Sequence, residues 1–248
     1  MPARTTGSRA TDFQNGENVA VVHDRLRAAI LSGELEAGGA FSQAVLADEV
    51  GAGRTPLREA LRLLQREGLV VAEPNRQVQI APLSAEDFEE IYLVRIALET
   101  VAIRITVPTL TSDDLAELEA CMAKMDYYAK GDDELGLRTP HRAFHHRLVA
   151  GLGSRGSAEI AELADHSHRY RLAFGGFGSS DERRAEHRAI LDAATDGDPD
   201  RAAERLAVHY ARTAALVFDA LNSDRNLRRL RAAIRAVAPA AEAALTTG

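Results

Sequence analysis

The sequence has very little cysteine and no long apolar run. Cys121 is the only cysteine, which excludes an internal disulfide framework. Arg, Asp or Glu interrupts every long hydrophobic segment before it reaches the ~20 residues that a membrane-spanning helix requires. The first residues lack the charged and then apolar regions of a signal peptide. We therefore expect a cytoplasmic protein with no membrane segment.

Basic charge is also scarce. The formal net charge is −7, and lysine occurs only at Lys124 and Lys130. Residues 20 to 82 contain seven arginines against eight acidic residues. Proteins that depend on non-specific attraction to phosphates are usually basic. Any DNA binding by this chain must therefore depend on a local arrangement of arginines.

The N-terminal part begins with a polar segment and two predicted helices. Residues 1 to 18 lack apolar periodicity, which predicts a flexible tail. Val22, Leu26 and Ile30 then recur at four-residue spacing and predict an amphipathic first helix. Ser42 can cap a second helix, which ends at a glycine after about two turns.

A third helix and a hairpin follow after a tight turn. The helix spans about 54 to 67 and ends at Gly68. Segments 69–73 and 77–81 are enriched in Val and Ile and flank a turn signal, which predicts two short strands. This order predicts a winged helix-turn-helix over residues 19–83, in which the third helix is the recognition helix.

Helix-forming residues dominate from Ser84 to the end, and no strand signal recurs. Ser84 can cap the first of these helices. The acidic pair Glu86 and Asp87 also marks a helix start, because negative charge suits the positive end of a helix dipole. We therefore predict a mainly α protein, with an all-α helical bundle of six or seven helices over residues 84–240. The predicted helices span 85–107, 112–130, 133–151, 156–175, 181–196 and 199–222, with a possible seventh at 224–237.

Four arginines at four-residue spacing form a row along the outer face of the third helix: Arg54, Arg58, Arg62 and Arg66. A guanidinium can pair bidentately with guanine, and Thr55 can contact a phosphate or a base edge. The alternative is a solvated face on which Glu59 and Glu67 pair with these arginines. The helix-turn-helix context favours DNA binding by this arginine row.

The predicted wing tip carries two further polar residues, Asn75 and Arg76. Both can reach a neighbouring groove or phosphate if the wing lies against a duplex. A plain solvated turn is an equally good interpretation of the same residues.

Histidines cluster in the second half of the chain. Six of the eight lie between positions 141 and 187, and another is His209. His141 and His145 are one helical turn apart, so their imidazoles can converge on one ion, whereas His187 and His209 lie on two later helices. Imidazoles in a bundle core suit Zn²⁺, Ni²⁺, Cu²⁺ or Fe²⁺. Scattered surface or core histidines are the alternative, because spacing alone does not bring the four together.

The segment Leu46 to Leu69, LADEVGAGRTPLREALRLLQREGL, resembles the DNA-binding domain of GntR-type regulators. The length and helicity of the remainder resemble the FadR branch of that family, with its FCD effector domain, and the resemblance covers about residues 20–222. It implies DNA contacts from Arg54, Thr55 and Arg58 and from the wing around Arg76. The chain departs from the family pattern, in ways that affect the operator sequence, at Ala44, Gly53 and Gln77.

The FCD resemblance also implies a metal site. The family pattern has an Asp, a His four residues later, a Glu-His pair and a His on the last core helix. This chain matches at His145, at Glu186 with His187, and at His209, while His141 stands where the family most often has Asp. The implied ligands are these four histidines and the implied ion is Zn²⁺, with Ni²⁺ or Fe²⁺ as alternatives. No ligand position matches His146, His166 or His168.

Arg95 and Glu99, in the segment VRIALE, match another FCD motif. They can form a simple i,i+4 pair, or Arg95 can point into the bundle and hold a ligand carboxylate. Arg169 is a further candidate for contact with the effector, as is Arg171. The resemblance thus implies a small organic acid as the effector.

The expected function is a ligand-responsive repressor. A homodimer would place two recognition helices on a palindromic operator, and the effector would favour another arrangement. A metal-dependent enzyme on the bundle is one alternative, since open coordination positions can activate water. Against this alternative, the sequence contains no HExxH motif, and an enzymatic role would leave the N-terminal part unexplained. The second alternative is a regulator that binds its ligand without metal, or one whose bundle serves only for dimerisation.

Overall fold

The computed structural model describes residues 15–72, 77–131, 133–174, 180–221 and 227–245. The chain divides into two compact units after Leu83. Within the described ranges, no helix combines the length and the apolar character needed to cross a membrane.

The first unit contains three helices and a small antiparallel sheet. The strand order is β1-β3-β2, with Phe41 opposite Val78 and Val71 opposite Gln79. This is the predicted winged helix-turn-helix, with one strand added. Its elements are α1 (Asn15–Ser32), β1 (Ala40–Ser42), α2 (Gln43–Val50), α3 (Arg54–Arg66), β2 (Val70–Ala72) and β3 (Gln77–Ile80).

Local signals fix the tight turn between α2 and α3. The Ser42 hydroxyl accepts a hydrogen bond from the backbone N–H of Val45 at 3.2 Å, which caps α2. Gly51 ends α2 with a φ of 63°, in the left-handed region that glycine adopts at little cost. Leu57 and Leu64 of α3 are fully buried in the core of this unit, so the opposite face of α3 is exposed.

One helix start and one strand of the first unit differ from the sequence prediction. Helix α1 begins at Asn15, so residues 15–18 are helical although they were assigned to the tail; they are polar, and apolar periodicity could not reveal them. Strand β1 was not predicted, because three residues are too short to show alternation. Residues 1–14 of the predicted tail lie outside the described part of the chain.

The described residues of the second unit are helical, as predicted, and the possible seventh helix is present as α10. Short 3-10 segments occupy Val107–Thr109, Ala150–Leu152 and Pro239–Leu245. The α-helices are α4 (Ala85–Thr106), α5 (Ser112–Lys130), α6 (Glu134–Leu148), α7 (Gly153–Phe174), α8 (Ser180–Thr195), α9 (Pro199–Ala220) and α10 (Arg228–Val237).

Helices α4 and α9 pack side by side in the core of this unit. The buried face of α9 is rich in alanine, which lets neighbouring helices approach closely. Aromatic rings fill the adjoining space: Phe88 of α4 lies 4.8 Å from Tyr170 of α7 and 5.5 Å from Phe218 of α9, measured between ring centroids. This packing holds α4, α7 and α9 around the site described next.

Candidate metal centre and DNA-contact surface

Three helices of the second unit bring four histidines together. His141 and His145 come from α6, His187 from α8 and His209 from α9, and one nitrogen from each lies within 4.8 Å of the others. His145, His187 and His209 are buried, and His141 is partly buried. The four sequence-predicted metal ligands therefore share one site.

Hydrogen bonds fix the tautomer of two of these histidines. The Nδ1 atom of His187 lies 2.7 Å from the backbone carbonyl oxygen of Arg183, and Nδ1 of His209 lies 2.8 Å from Oε2 of Glu186. A carbonyl and a carboxylate only accept hydrogen bonds, so both Nδ1 atoms carry the proton. Each Nε2 therefore presents a lone pair, as is usual for histidines that bind a metal.

The tautomer of His145 follows from Tyr210. The Tyr210 hydroxyl donates its proton to Oε2 of Glu99 at 2.5 Å, and it lies 3.4 Å from Nδ1 of His145. With its proton given to Glu99, this hydroxyl can accept a hydrogen bond from Nδ1–H of His145, and that tautomer presents a lone pair at Nε2. This Nε2 lies 3.2 Å from Nε2 of His187, close to the ~3.3 Å that separates two nitrogens on a tetrahedral zinc ion. The donor set thus fits a divalent ion.

Burial favours the neutral form of three of these imidazoles. It lowers the pKa of His141, His145 and His187 well below the ordinary range, and neighbouring imidazoles and Arg171 lower it further. Neutral imidazole is the form that binds a metal. The Glu186 carboxyl is different: burial alone would raise its pKa, but hydrogen bonds from His209 and Arg212 hold it below the usual range.

A cavity of about 120 Å³ adjoins the histidines, which is room for a small organic molecule. Arg95 lines it and is held by three hydrogen bonds, to Glu99 at 2.7 Å and to the hydroxyls of Ser167 and Tyr210 at 2.8 Å each. Burial alone would lower the pKa of Arg95, but Glu99, Tyr210 and Tyr92 together outweigh burial, and the pKa is raised. Arg95 therefore pairs with Glu99 and also borders the cavity.

Of the two candidate arginines on α7, Arg171 lines the cavity, whereas Arg169 is not among the described residues that line it. The prediction for Arg169 is thus not supported by its position, because two residues along a helix turn the side chain to the other face. Arg171 instead places a guanidinium nitrogen 3.1 Å from Nδ1 of His141. Burial lowers the pKa of His168, which also lines the cavity, to about 3.

Sequence reasoning missed four further cavity arginines. The signal was available in the helical spacing. Arg138 and Arg142 share a face of α6 with the histidines three residues later, and Arg183 and Arg184 precede His187 on α8 by four and three residues. The missed residues are Arg138, Arg142, Arg183 and Arg184.

The predicted DNA contacts Arg54, Thr55 and Arg58 are exposed at the start of α3. Within the described ranges, neither Arg54 nor Arg58 has an acidic partner, while Arg62 pairs with Glu59 at 2.9 Å. Both Asn75 and Arg76 lie outside the described residues.

Glu67, the other acid that could have paired with the arginine row, is engaged elsewhere. It accepts hydrogen bonds from His23 at 2.6 Å and from Arg27 at 3.1 Å, both on α1. His23 thus joins α1 to the end of α3, with only 15% of its side chain exposed. The N-terminal end of α3 is left open to a partner.

Two family models match the chain. The model for bacterial regulatory proteins of the gntR family matches residues 18–80, and the FCD domain model matches residues 90–212. Together they span both units.

Relatives that match over most of their length and a solved structure agree with these matches. The uncharacterized HTH-type transcriptional regulator YdhC of Bacillus subtilis (strain 168) is 27% identical, over 76% of this chain and 85% of the relative. The HTH-type transcriptional repressor GlaR of Escherichia coli (strain K12) is 26% identical, over 77% and 92%. The structure of E. coli McbR/YncC is similar with a TM-score of 0.71 and 21% identity, over 82% of this chain and 97% of that one, which shows the fold alone.

Proposed function

This chain belongs to the GntR family of bacterial regulatory proteins and carries an FCD domain, and on that premise we propose that it is a metal-containing repressor that responds to a small organic acid. DNA-binding transcriptional regulation, without enzymatic activity, follows from the family itself. The finer proposal adds the ion, the chemical class of the effector and the direction of the response. We also place the chain in the FadR branch and in the cytoplasm.

One observation carries the proposal: one ring nitrogen from each of four histidines lies within 4.8 Å of the others, beside a cavity bordered by Arg95 and Arg171. The ion would be held by His141, His145, His187 and His209. Zn²⁺ fits this donor set, with Ni²⁺ or Fe²⁺ as alternatives. When bound, the ion supplies positive charge that attracts a carboxylate. Arg171, beside His141, then orients the effector by hydrogen bonds.

The DNA-binding part of the proposal rests on α3. A homodimer would present two copies of this helix to the half-sites of a palindromic operator. Arg54, Thr55 and Arg58 would contact bases and phosphates there, and Asn75 and Arg76 would contact the adjoining groove or backbone. The repressor assignment is supported by the similarity to a relative named as a repressor.

Helix α7 connects the cavity to the first residues of the second unit. It lines the cavity with Ser167, His168 and Arg171. On its other side the Tyr170 hydroxyl donates to Asp87 at 2.5 Å and accepts from the backbone N–H of Ser84 at 3.2 Å. We propose that effector binding shifts α7, and with it the first residues of the second unit, towards an arrangement with lower DNA affinity.

A gel shift on the DNA upstream of the chain's own gene tests this proposal. Purified protein is compared before and after metal removal and reloading with Zn²⁺, with malate and lactate as probe acids, and its metal content and mass in solution are measured. We expect a dimer with one ion per chain, and release of DNA by an acid only when metal is bound. An acid response that survives complete metal removal would support a metal-free regulator instead.

A further inference from the structure

One wall of the cavity beside the histidines is apolar. Helix α5 contributes Met122, Met125 and Ala129, whose spacing of three and four residues places them on one face of the helix. Helix α6 adds Leu137, which lies one helical turn before His141 on the same face. We name these three residues of α5 together with Leu137 the apolar wall. Met122 and Met125 are only 2% and 7% exposed, so the wall borders enclosed space.

Ion pairs between α5 and α8 fix the level of the apolar wall relative to the histidines. Two such pairs join the helices, each measured from nitrogen to oxygen: Arg188 to Glu119 at 2.6 Å, and Arg184 to Asp126 at 2.8 Å. Met122 lies between the two acids along α5, and His187 lies between the two arginines along α8. Both Met122 and His187 line the cavity, so they lie at the same level of the bundle. The apolar wall therefore begins beside one of the proposed metal ligands.

From Met122 the apolar wall runs towards the turn between α5 and α6. Ala129 lies seven residues further, or about 10.5 Å along the helix axis. The start of α6 lies against the end of α5, because a Cβ atom on Gly136 would come within 2.5 Å of the Tyr128 ring. Leu137 is the next residue and lines the cavity at this end. The apolar wall thus offers about 10 Å of contact surface that starts at the imidazoles.

The chemistry of the apolar wall selects an apolar ligand group. A ligand group that packs against thioether and aliphatic side chains is removed from water, which is favourable for carbon and costly for a charge. Methionine side chains adjust to the shape of a ligand, as Met122 and Met125 can do here. The charged residues at the same level, Asp126 and Arg184, pair with each other. The wall therefore favours an apolar group over a second carboxylate.

We propose that the effector is a carboxylic acid with an apolar side group, whose carboxylate is recognised at the histidines and whose side group packs on the apolar wall. This deepens the proposed function and rests on it. A branched aliphatic or an aromatic group fits the description, because either can contact Met122, Met125 and Leu137 over one or two helical turns.

Isothermal titration of zinc-loaded full-length protein tests this with lactate and three acids that each add one group to its methyl carbon. The added group is isopropyl in 2-hydroxyisocaproate, phenyl in 3-phenyllactate and carboxylate in malate. Burial of one CH₂ group is worth about fourfold in affinity. We therefore expect at least one of the two apolar acids to bind at least tenfold more tightly than lactate, and also more tightly than malate.

Variants then assign this gain to the apolar wall. Leu137→Gln keeps the approximate size of the side chain and makes it polar, so it should weaken the apolar acid about tenfold and leave lactate within twofold. Leu135→Gln is the matched control, because position 135 is on the same helix, 73% exposed and outside the described lining of the cavity. It should change neither affinity.

A second variant keeps the wall apolar and removes room. Ala129→Leu adds three carbons to the part of the wall that lies farthest from His187, at a half-buried position that can accept them. It should also weaken binding of the apolar acid and spare lactate, because lactate does not reach this end.

Two results would overturn the proposal. The first is affinity for both apolar acids no higher than for lactate or malate, including no measurable binding of any probe. The second is an equal loss for lactate and the apolar acid in Leu137→Gln and Ala129→Leu. Zinc content, and DNA release by lactate and malate, are measured on the same samples. These report on the proposed function separately, so a failure of one is distinguishable from a failure of the other.

Discussion

The Nε2 atoms of His145 and His187 lie 3.2 Å apart, and each carries a lone pair in the tautomers that the surrounding hydrogen bonds favour. The opposite nitrogen of His187 donates to a backbone carbonyl, and that of His145 faces a hydroxyl that has already given its proton to Glu99. Two lone pairs at this distance repel each other unless a cation lies between them. The hydrogen bonds around the site thus prepare it for an ion rather than for an internal histidine pair.

Replacing one of the proposed metal ligands should reduce metal affinity sharply. We expect His187→Ala to weaken zinc binding more than the roughly 10–100-fold lost when only a supporting residue of a metal site is changed. Competition with a chromogenic chelator measures the affinity. His146→Ala, an exposed position on α6, is the matched control and should stay near the parent value. Parental zinc affinity in the His187 variant would contradict the assignment.

A substitution at His141 should raise zinc affinity, in contrast to the loss expected at His187. His141→Asp adds one negative charge to the ligand set, so zinc should bind more tightly while an anionic probe such as malate binds less tightly. Titrations of zinc and then of malate into parent and variant measure both effects. Unchanged affinities for both would show that position 141 does not face the ion.

Arginines at the start of α3 should matter for operator binding more than those at its end. Arg58→Ala and Arg54→Ala should each cost about 1–3 kcal/mol of specific binding if they read a guanine. Arg66→Ala, about 18 Å from Arg54 along the same helix, is the control with the same loss of charge. If all three substitutions lowered the affinity equally, for operator and for random DNA, the arginine row would make only non-specific contacts with phosphates.

The order of elements was predictable where a signal is local. Ser42 marks the start of α2 and Gly51 marks its end, both in the sequence prediction and in the structure. Both signals could be read from the sequence, because a side-chain cap and a left-handed glycine depend on neighbouring residues only. Strand β1 depends instead on pairing with β3, nearly forty residues away, and three residues carry no periodic signal.

The candidate site shows the same division. His141 and His145 could be placed together from one helical turn, but their meeting with His187 and His209 depends on how three helices pack. Arg169 and Arg171 could not be separated without the rotation of α7 about its axis, which only the packed bundle supplies. The residues that line the cavity therefore cannot be identified without the tertiary structure, even where every helix is predicted correctly.

The buried pair of Arg95 and Glu99 should contribute strongly to stability. Their side chains are 8% and 0% exposed, so Arg95→Met would leave a buried carboxylate without its cation and cost about 3–5 kcal/mol in the free energy of unfolding. Arg104→Met removes an arginine of the same helix whose partner Asp200 is 84% exposed, and it should cost less than about 1 kcal/mol. Urea unfolding measures both. A loss below about 1 kcal/mol at Arg95 would mean that the pair is retained for the ligand alone.

Tyr170→Phe should separate ligand sensing from DNA binding. The variant keeps the ring that packs on Phe88 at 4.8 Å, so the fold is preserved, but it loses the hydroxyl that holds Ser84 and Asp87. We expect operator affinity without effector to stay within about twofold. The effector-induced loss of affinity should fall from the ~5–150-fold typical of allosteric coupling towards unity.

The measurement is operator affinity of the zinc-loaded protein with and without saturating malate or 2-hydroxyisocaproate, whichever binds. Tyr127→Phe, at a position that is 75% exposed, removes a hydroxyl outside this route and should respond as the parent does. Because coupling is reciprocal, bound operator should also cease to weaken effector binding in the Tyr170 variant. A variant that still releases DNA as the parent does would place the route from cavity to junction on another helix, and α4, which carries both Arg95 and Asp87, would be the next to test.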